Sequence, residues 1–150
     1  MLIRSASGLR GIAKDHFTPE LIDKYISAFI NTQNIKSCVI GRDGRPSGKQ
    51  IALWVIDSLH KKGVNVDNCG LATTPTMQIM TEKENYDGGI VITASHNPSE
   101  YNGLKFLQND GTFLSPEQCE ELFKAVDKNI SVKNSESLGV VSDYPTANKE

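Results

Sequence analysis

The chain has 150 residues, of which 38% are hydrophobic and 23% charged, with a formal net charge of −2. That length fits one domain, able to bury roughly 68–70% of the surface its unfolded form exposes. The charge balance argues against a protein built to coat phosphate backbones, and no apolar run nears the roughly 20 residues that cross a bilayer.

The chain alternates helix and strand signals. Thr18-Pro19 opens a helix with Thr as N-cap and Pro in the first turn, where its missing N–H costs nothing. The stripe Leu21, Ile22, Tyr25, Ile26, Phe29 and Ile30 follows at helical spacing. Ser37-Cys38-Val39-Ile40 reads as a buried strand ending at Gly41. Ser47-Gly48-Lys49-Gln50 has the spacing of a capping box and starts a helix from Ile51 to Lys62, which Gly63 stops. Val64 to Leu71 is the next strand, after which Thr74-Pro75 caps a helix with Met77, Ile79 and Met80 along it.

Gly88 to Ile92 is a third apolar strand, and Leu104-Lys105-Phe106 alternates as a strand with one less buried face does. Ser115-Pro116-Glu117-Gln118 repeats the capping-box pattern and turns Cys119, Leu122, Phe123 and Val126 inward. Residues 1–136 are expected to form the domain, with 137–150 as the start of a linker to a further domain. The fold expected is α/β, a three-layer α/β/α sandwich with a mixed, mostly parallel sheet. Cys38, Cys69 and Cys119 are odd in number and widely spaced, and are expected as buried small hydrophobes.

In such folds ligands sit at the carboxyl ends of the strands. The loops there are Gly41-Arg42-Asp43-Gly44-Arg45-Pro46-Ser47-Gly48, Thr73-Thr74-Pro75-Thr76 and Thr93-Ala94-Ser95-His96-Asn97-Pro98, with Ser7-Gly8-Leu9-Arg10-Gly11 near the N-terminus. Of the 16 lysine and arginine residues only Arg4, Arg10, Arg42 and Arg45 are arginines, and the last three lie in glycine-rich loops. A guanidinium fork beside glycine suits an anion, phosphate above all, although solvated surface turns explain the same residues. Gly44 to Gln50 is no nucleotide P-loop, because the glycine spacing is short and Gln50 stands where Ser or Thr is needed. Ser95-His96 lacks the G-x-S-x-G elbow of a hydrolase.

Together these loops, with Tyr101-Asn102-Gly103-Leu104-Lys105, resemble the α-D-phosphohexomutases, the phosphoglucomutase/phosphomannomutase family. The likeness runs in order from Ser5 to about Val126. It implies the N-terminal domain of a phosphoserine enzyme that interconverts hexose 1-phosphate and 6-phosphate through a hexose 1,6-bisphosphate. By the same resemblance Ser95 carries the phosphoryl group. His96, Lys105 and Arg10 are the other catalytic residues, and Arg10, Asn97 and Lys105 touch substrate. Asp43, Arg42 and Arg45 are expected as a structural ion-pair network, and His16 and His60 as surface residues.

The family's Mg²⁺ is implied too, held by phosphorylated Ser95 and an aspartate loop of a second domain; no Asp-x-Asp occurs in this chain. The partners implied are a hexose phosphate, a hexose bisphosphate activator and the remaining domains of the same polypeptide, with no nucleic acid and no membrane. The location expected is cytoplasmic, and the domain by itself is expected to be inactive. Two alternatives stand beside this reading: phosphoglucosamine mutase, and a non-catalytic phosphosugar-binding module.

Overall fold

The computed structural model describes residues 2–143. They run as β1 (Ile3–Ser5), β2 (Gly8–Ile12), the single turn α1 (Ala13–His16), α2 (Pro19–Gln33), β3 (Ser37–Arg42) and α3 (Gly48–Lys61). Then come β4 (Asn65–Leu71), α4 (Thr74–Lys83), β5 (Gly88–Ile92), β6 (Tyr101–Leu107), α5 (Pro116–Asp127) and β7 (Val141–Asp143). The strands form one mixed seven-stranded sheet in the order β1-β2-β6-β5-β3-β4-β7. The pairings β5–β3, β3–β4 and β4–β7 are parallel, and β1–β2, β2–β6 and β6–β5 are antiparallel.

Connection length sets that division. Parallel neighbours need a crossover, and α3 and α4 supply two of them; β5 turns back into β6 within a short loop, which only an antiparallel pair allows. The chain steps from β3 out to β4 and then back across β3 to β5. Right-handed crossovers in opposite directions put their helices on opposite faces. Accordingly α2, α3 and α5 pack on one face and α4 on the other, giving three layers.

The period-two alternation of the strands sorts the core. Cys38, Ile40, Ile90, Ile92, Leu104 and Phe106 meet Ile22, Tyr25, Ile26, Phe29 and Leu122 on the three-helix face. Val39, Val91 and Leu107 meet Met77 and Met80 of α4 on the other. All three cysteines are buried and free, as expected. Among the described residues no helix is long and apolar enough to cross a membrane.

Caps explain most helix starts. Thr18 Oγ1 accepts the Leu21 N–H at 3.1 Å with Pro19 in the first turn, and Ser115 with Gln118 forms a complete capping box. Gly63, at φ +79°, ends α3 in the left-handed region where only glycine is free of strain. Two expectations about the helices need correction. The cap of α4 is Thr73, one residue earlier than the sequence suggests, and Ile79 faces outward. Ser47 does not cap α3: its backbone is already helical, and its hydroxyl accepts the Asn102 Nδ2–H at 2.9 Å.

Asn102 is fully buried in β6, so Ser47 serves that amide and not the helix. Ser47→Ala is therefore expected to cost about 1–2 kcal/mol by leaving a buried donor without its partner. Denaturant unfolding checks this; unchanged stability would mean that the amide finds another acceptor.

The stretch expected to begin a linker contains the edge strand β7. The Val66 N–H reaches Val140 O at 2.8 Å and the Gly139 N–H reaches His60 O at 3.0 Å, so the sheet extends through Asp143. The rest of that stretch, 144–150, lies outside the described residues. His60 is not a plain surface residue: it is half-buried, with Nδ1 2.7 Å from Gly139 O.

Candidate active site

The loop that leaves β5 and enters β6 begins buried, at Thr93 and Ala94, and surfaces at Ser95. Ser95 has φ +55°, in the left-handed region where a residue with a Cβ costs free energy. Surrounding bonds hold it there. Thr93 Oγ1 accepts the Ser95 N–H at 3.0 Å and donates its own proton to Asp43 Oδ2 at 2.5 Å.

Arg45, in the loop after β3, grips the same segment from behind. Its Nη2 donates to Ser95 O at 2.6 Å, and its Nη1 to Pro98 O and Tyr101 O at 2.6 and 3.2 Å. Its Nε donates to Asp43 Oδ2 at 3.1 Å. The Asp43 N–H in turn bonds Ile92 O at the end of β5, at 3.1 Å. The β3 loop and the serine loop are therefore one hydrogen-bonded unit.

Two cations stand in front of it. Lys105, on β6, donates from Nζ to Ser95 Oγ at 2.8 Å, and its ammonium lies 5.5 Å from the centre of the Phe113 ring. Arg10, on β2, donates from Nη1 to Asn97 Oδ1 at 3.1 Å. Arg10 pairs in register with Gly103, two residues before Lys105, so both cations rise from the same face of the sheet. Neither forms an ion pair among the described residues. Two cations with no carboxylate paired to them among the described residues, beside an exposed hydroxyl, suit an anion.

Burial, and after it the charge of Arg10, pushes the Lys105 ammonium below the ordinary lysine range. Because folding lowers this pKa, protonated Lys105 weakens the folded state; that cost is complete below the folded value, shrinks as pH rises above it, and is gone once pH passes the ordinary lysine value of the unfolded chain. Arg10→Gln is expected to move the titration of Lys105 back up, while the share due to burial remains. NMR of the lysine side chain across alkaline pH measures it; an unmoved titration would show that Lys105 does not feel Arg10.

Of the residues singled out from the sequence, the structure joins Ser95 to Lys105 and Arg10 to Asn97. His96 is exposed beside Ser95 and makes no hydrogen bond among the described residues. The Asp43–Arg45 ion pair is present, whereas Arg42 donates instead to the Asp43 carbonyl oxygen at 3.3 Å. Thr76 stays within the first turn of α4, bonded to Thr73. Sequence reasoning missed the grip of Arg45 on three carbonyls and the part of Thr93. The available signals were an arginine set between Gly44 and Pro46, and a threonine two residues ahead of the serine, the spacing of a local side-chain turn.

Among the described residues no group of three or more His, Cys, Asp or Glu side chains could hold a metal ion. Asp43, bonded to the serine loop, has its carboxylate taken up by Thr93 and Arg45. The described part of this site thus offers a divalent cation little beyond the oxygens that Ser95 carries.

The three-layer α/β/α fold thus presents the exposed Ser95 hydroxyl to Lys105, with Arg10 on the same face of the sheet. The family model described as phosphoglucomutase/phosphomannomutase, alpha/beta/alpha domain I, matches residues 1–133. The chain belongs to the phosphoglucomutase/phosphomannomutase family, as its domain I.

Among curated relatives, the phosphoglucosamine mutase of Pediococcus pentosaceus is 37% identical over 148 residues, covering 92% of this chain and 33% of that protein. The phosphoglucomutase/phosphomannomutase of Thermococcus kodakarensis is 42% identical over 128 residues, covering 80% of this chain and 28% of that protein. A crystal structure of a phosphoglucomutase/phosphomannomutase family protein from Burkholderia thailandensis superposes with a TM-score of 0.77 at 25% identity, covering 98% of this chain and 35% of that one. The chain spans about a third of the length of the curated relatives first matched.

Proposed function

We propose that Ser95 carries a transferable phosphoryl group and that the protein interconverts hexose 1-phosphate and hexose 6-phosphate through a hexose 1,6-bisphosphate. The observation that supports this most directly is the 2.8 Å contact of Lys105 Nζ with Ser95 Oγ, with Arg10 on the same face. Phosphoryl transfer depends on placing the acceptor in line and on neutralising charge spread over the phosphoryl oxygens. In the first step the Ser95 Oγ–P bond breaks as a sugar hydroxyl oxygen bonds phosphorus. Ser95 Oγ takes a proton from the Lys105 ammonium, and the amine so formed takes up the proton that the sugar hydroxyl gives up, so that protons balance over the step. Transfer of the other phosphate of the bisphosphate back to Ser95 completes the cycle.

Arg10 and Asn97 bind and orient the phosphate, and His96, exposed beside Ser95, serves positioning or proton chemistry. A phosphorylated Ser95 supplies this chain's ligand to Mg²⁺, the remaining oxygens coming from carboxylates elsewhere in the protein; the ion would neutralise phosphoryl charge. The partners in this reading are the hexose phosphate, the bisphosphate that loads Ser95, and further domains of the same polypeptide. The enzyme is read as cytoplasmic.

A second reading of the sugar rests on the relatives, several of which are named phosphoglucosamine mutase. It makes the substrate an amino-sugar phosphate and leaves the chemistry at Ser95 unchanged. The test is a mutase assay on the protein expressed from its whole reading frame, with Mg²⁺, a hexose bisphosphate and the phosphates of glucose, mannose and glucosamine. The preferred sugar chooses between the two readings. A folded protein that binds these phosphates, turns none of them over and never gains a phosphoryl group would be a binding module instead.

A further inference from the structure

A threonine hydroxyl has one proton and two lone pairs, and a carboxylate only accepts. The proton of Thr93 Oγ1 therefore goes to Asp43 Oδ2, which leaves a lone pair directed at the Ser95 N–H. Asp43 itself is fixed from the other side: the Arg45 N–H donates to Oδ1 at 3.2 Å and the Arg45 Nε to Oδ2. The remaining guanidinium nitrogens hold the carbonyls of Ser95, Pro98 and Tyr101. One hydrogen-bonded unit, buried at Thr93 and partly exposed at Asp43 and Arg45, thus holds both backbone polar groups of Ser95, the N–H through Thr93 and the C=O through Arg45. It holds them at a backbone angle that a serine does not choose freely. Among the described residues the Ser95 hydroxyl itself is hydrogen-bonded by Lys105, at the end of a long and flexible stem.

We propose that Thr93 and Asp43, braced by Arg45, are positioning residues that aim the Ser95 hydroxyl at Lys105 without touching substrate. This rests on the reading of Ser95 as the phosphoryl carrier. A clamp of this kind acts on the reacting geometry and not on affinity, so its loss lowers kcat and leaves KM alone. Misplacing a reacting group by about an ångström costs on the order of 100-fold in rate.

Thr93→Val keeps the shape of the side chain and removes the hydroxyl; Thr93→Ser restores it. In the protein from the whole reading frame, Thr93→Val is expected to lower kcat by about 10- to 100-fold with KM for the sugar phosphate within about twofold, and Thr93→Ser to recover most of the rate. Asp43→Asn is expected to behave like Thr93→Val. The double variant should be no worse than the poorer single one, because both act through one chain of bonds. Hydrogen exchange across residues 93–98 should quicken in Thr93→Val and not in Thr93→Ser. Wild-type kcat in Thr93→Val overturns the proposal, as does a raised KM at unchanged kcat, which would put Thr93 against the substrate. If Thr93→Val does not fold, Asp43→Asn decides on the same readings. A wild type without phosphoserine or turnover overturns the reading of Ser95 instead. The exchange measurement then decides the clamp by itself, quicker exchange supporting it and unchanged exchange refuting it.

Discussion

Ser95→Ala is expected to abolish phosphoryl transfer in the protein expressed from its whole reading frame, by about 10⁴-fold or more. Ser95 is the exposed hydroxyl that Lys105 Nζ reaches, at 2.8 Å. Thr93, the next hydroxyl back along the loop, is buried and already bonded at both its donor and its acceptor side. Thr93 therefore does not stand ready to replace it. The variant should fold normally, because Ser95 is exposed and alanine removes no buried contact. Two measurements complete the test: intact-mass spectrometry for a phosphoryl group on the wild type, and turnover with bisphosphate present. Substantial turnover by Ser95→Ala would mean that the phosphoryl group passes between sugars by another route. The 150-residue chain alone, whose described residues include no carboxylate cluster able to hold Mg²⁺ near Ser95, should show no turnover with any of the three sugar phosphates.

Gly103→Ala is expected to destabilise the fold by about 3 kcal/mol, near the top of what small-to-large changes in packed cores cost. A Cβ on Gly103 would lie 2.3 Å from Leu9 O and 2.8 Å from Thr93 O, and 2.9 Å from Arg10 Cγ. Two of these neighbours are backbone and cannot swing aside. Relief requires β2 to move off β6, or Thr93 to give up its N–H bond to Gly103 O at 3.1 Å. Either shift carries Arg10 or the serine loop with it. Equilibrium unfolding in denaturant reads the stability, and the sugar-phosphate assay should fall in parallel. Wild-type stability in Gly103→Ala would show that the strands here part at little cost.

The helices α2 and α5 were legible because their starting signals are local: Thr18 bonds Leu21 and Ser115 bonds Gln118 within a single turn. Ser47 carries the same signature and fails as a cap because Asn102, 55 residues away, takes its hydroxyl. The layers and the buried strands followed from apolar runs. The antiparallel half of the sheet left a fainter mark, since β2 and β6 are distant in sequence, with α1 to α4 and three strands between them, and no local signal announces the pairing. In the site, the Asp43–Arg45 pair was readable two residues apart, whereas the bonds from Arg45 to the serine loop span 50 to 56 residues. The partnership of Ser95 with Lys105 came from family likeness; what makes it physical is the fold-back of β5 into β6.

The two halves of the sheet also differ in how they would yield to force. β7 is a three-residue edge strand with exposed side chains, and it meets β4 across a loop of about 75 residues. It buries little apolar area and is the first strand expected to fray. β5 and β6, by contrast, close on each other through a short loop at the middle of the sheet, with β3 and β4 standing between them and β7. Tension on the chain beyond Asp143 would be spent peeling β7 from β4, two strands short of the serine. The Ser95 hydroxyl is thereby mechanically insulated from whatever pulls on that end of the domain.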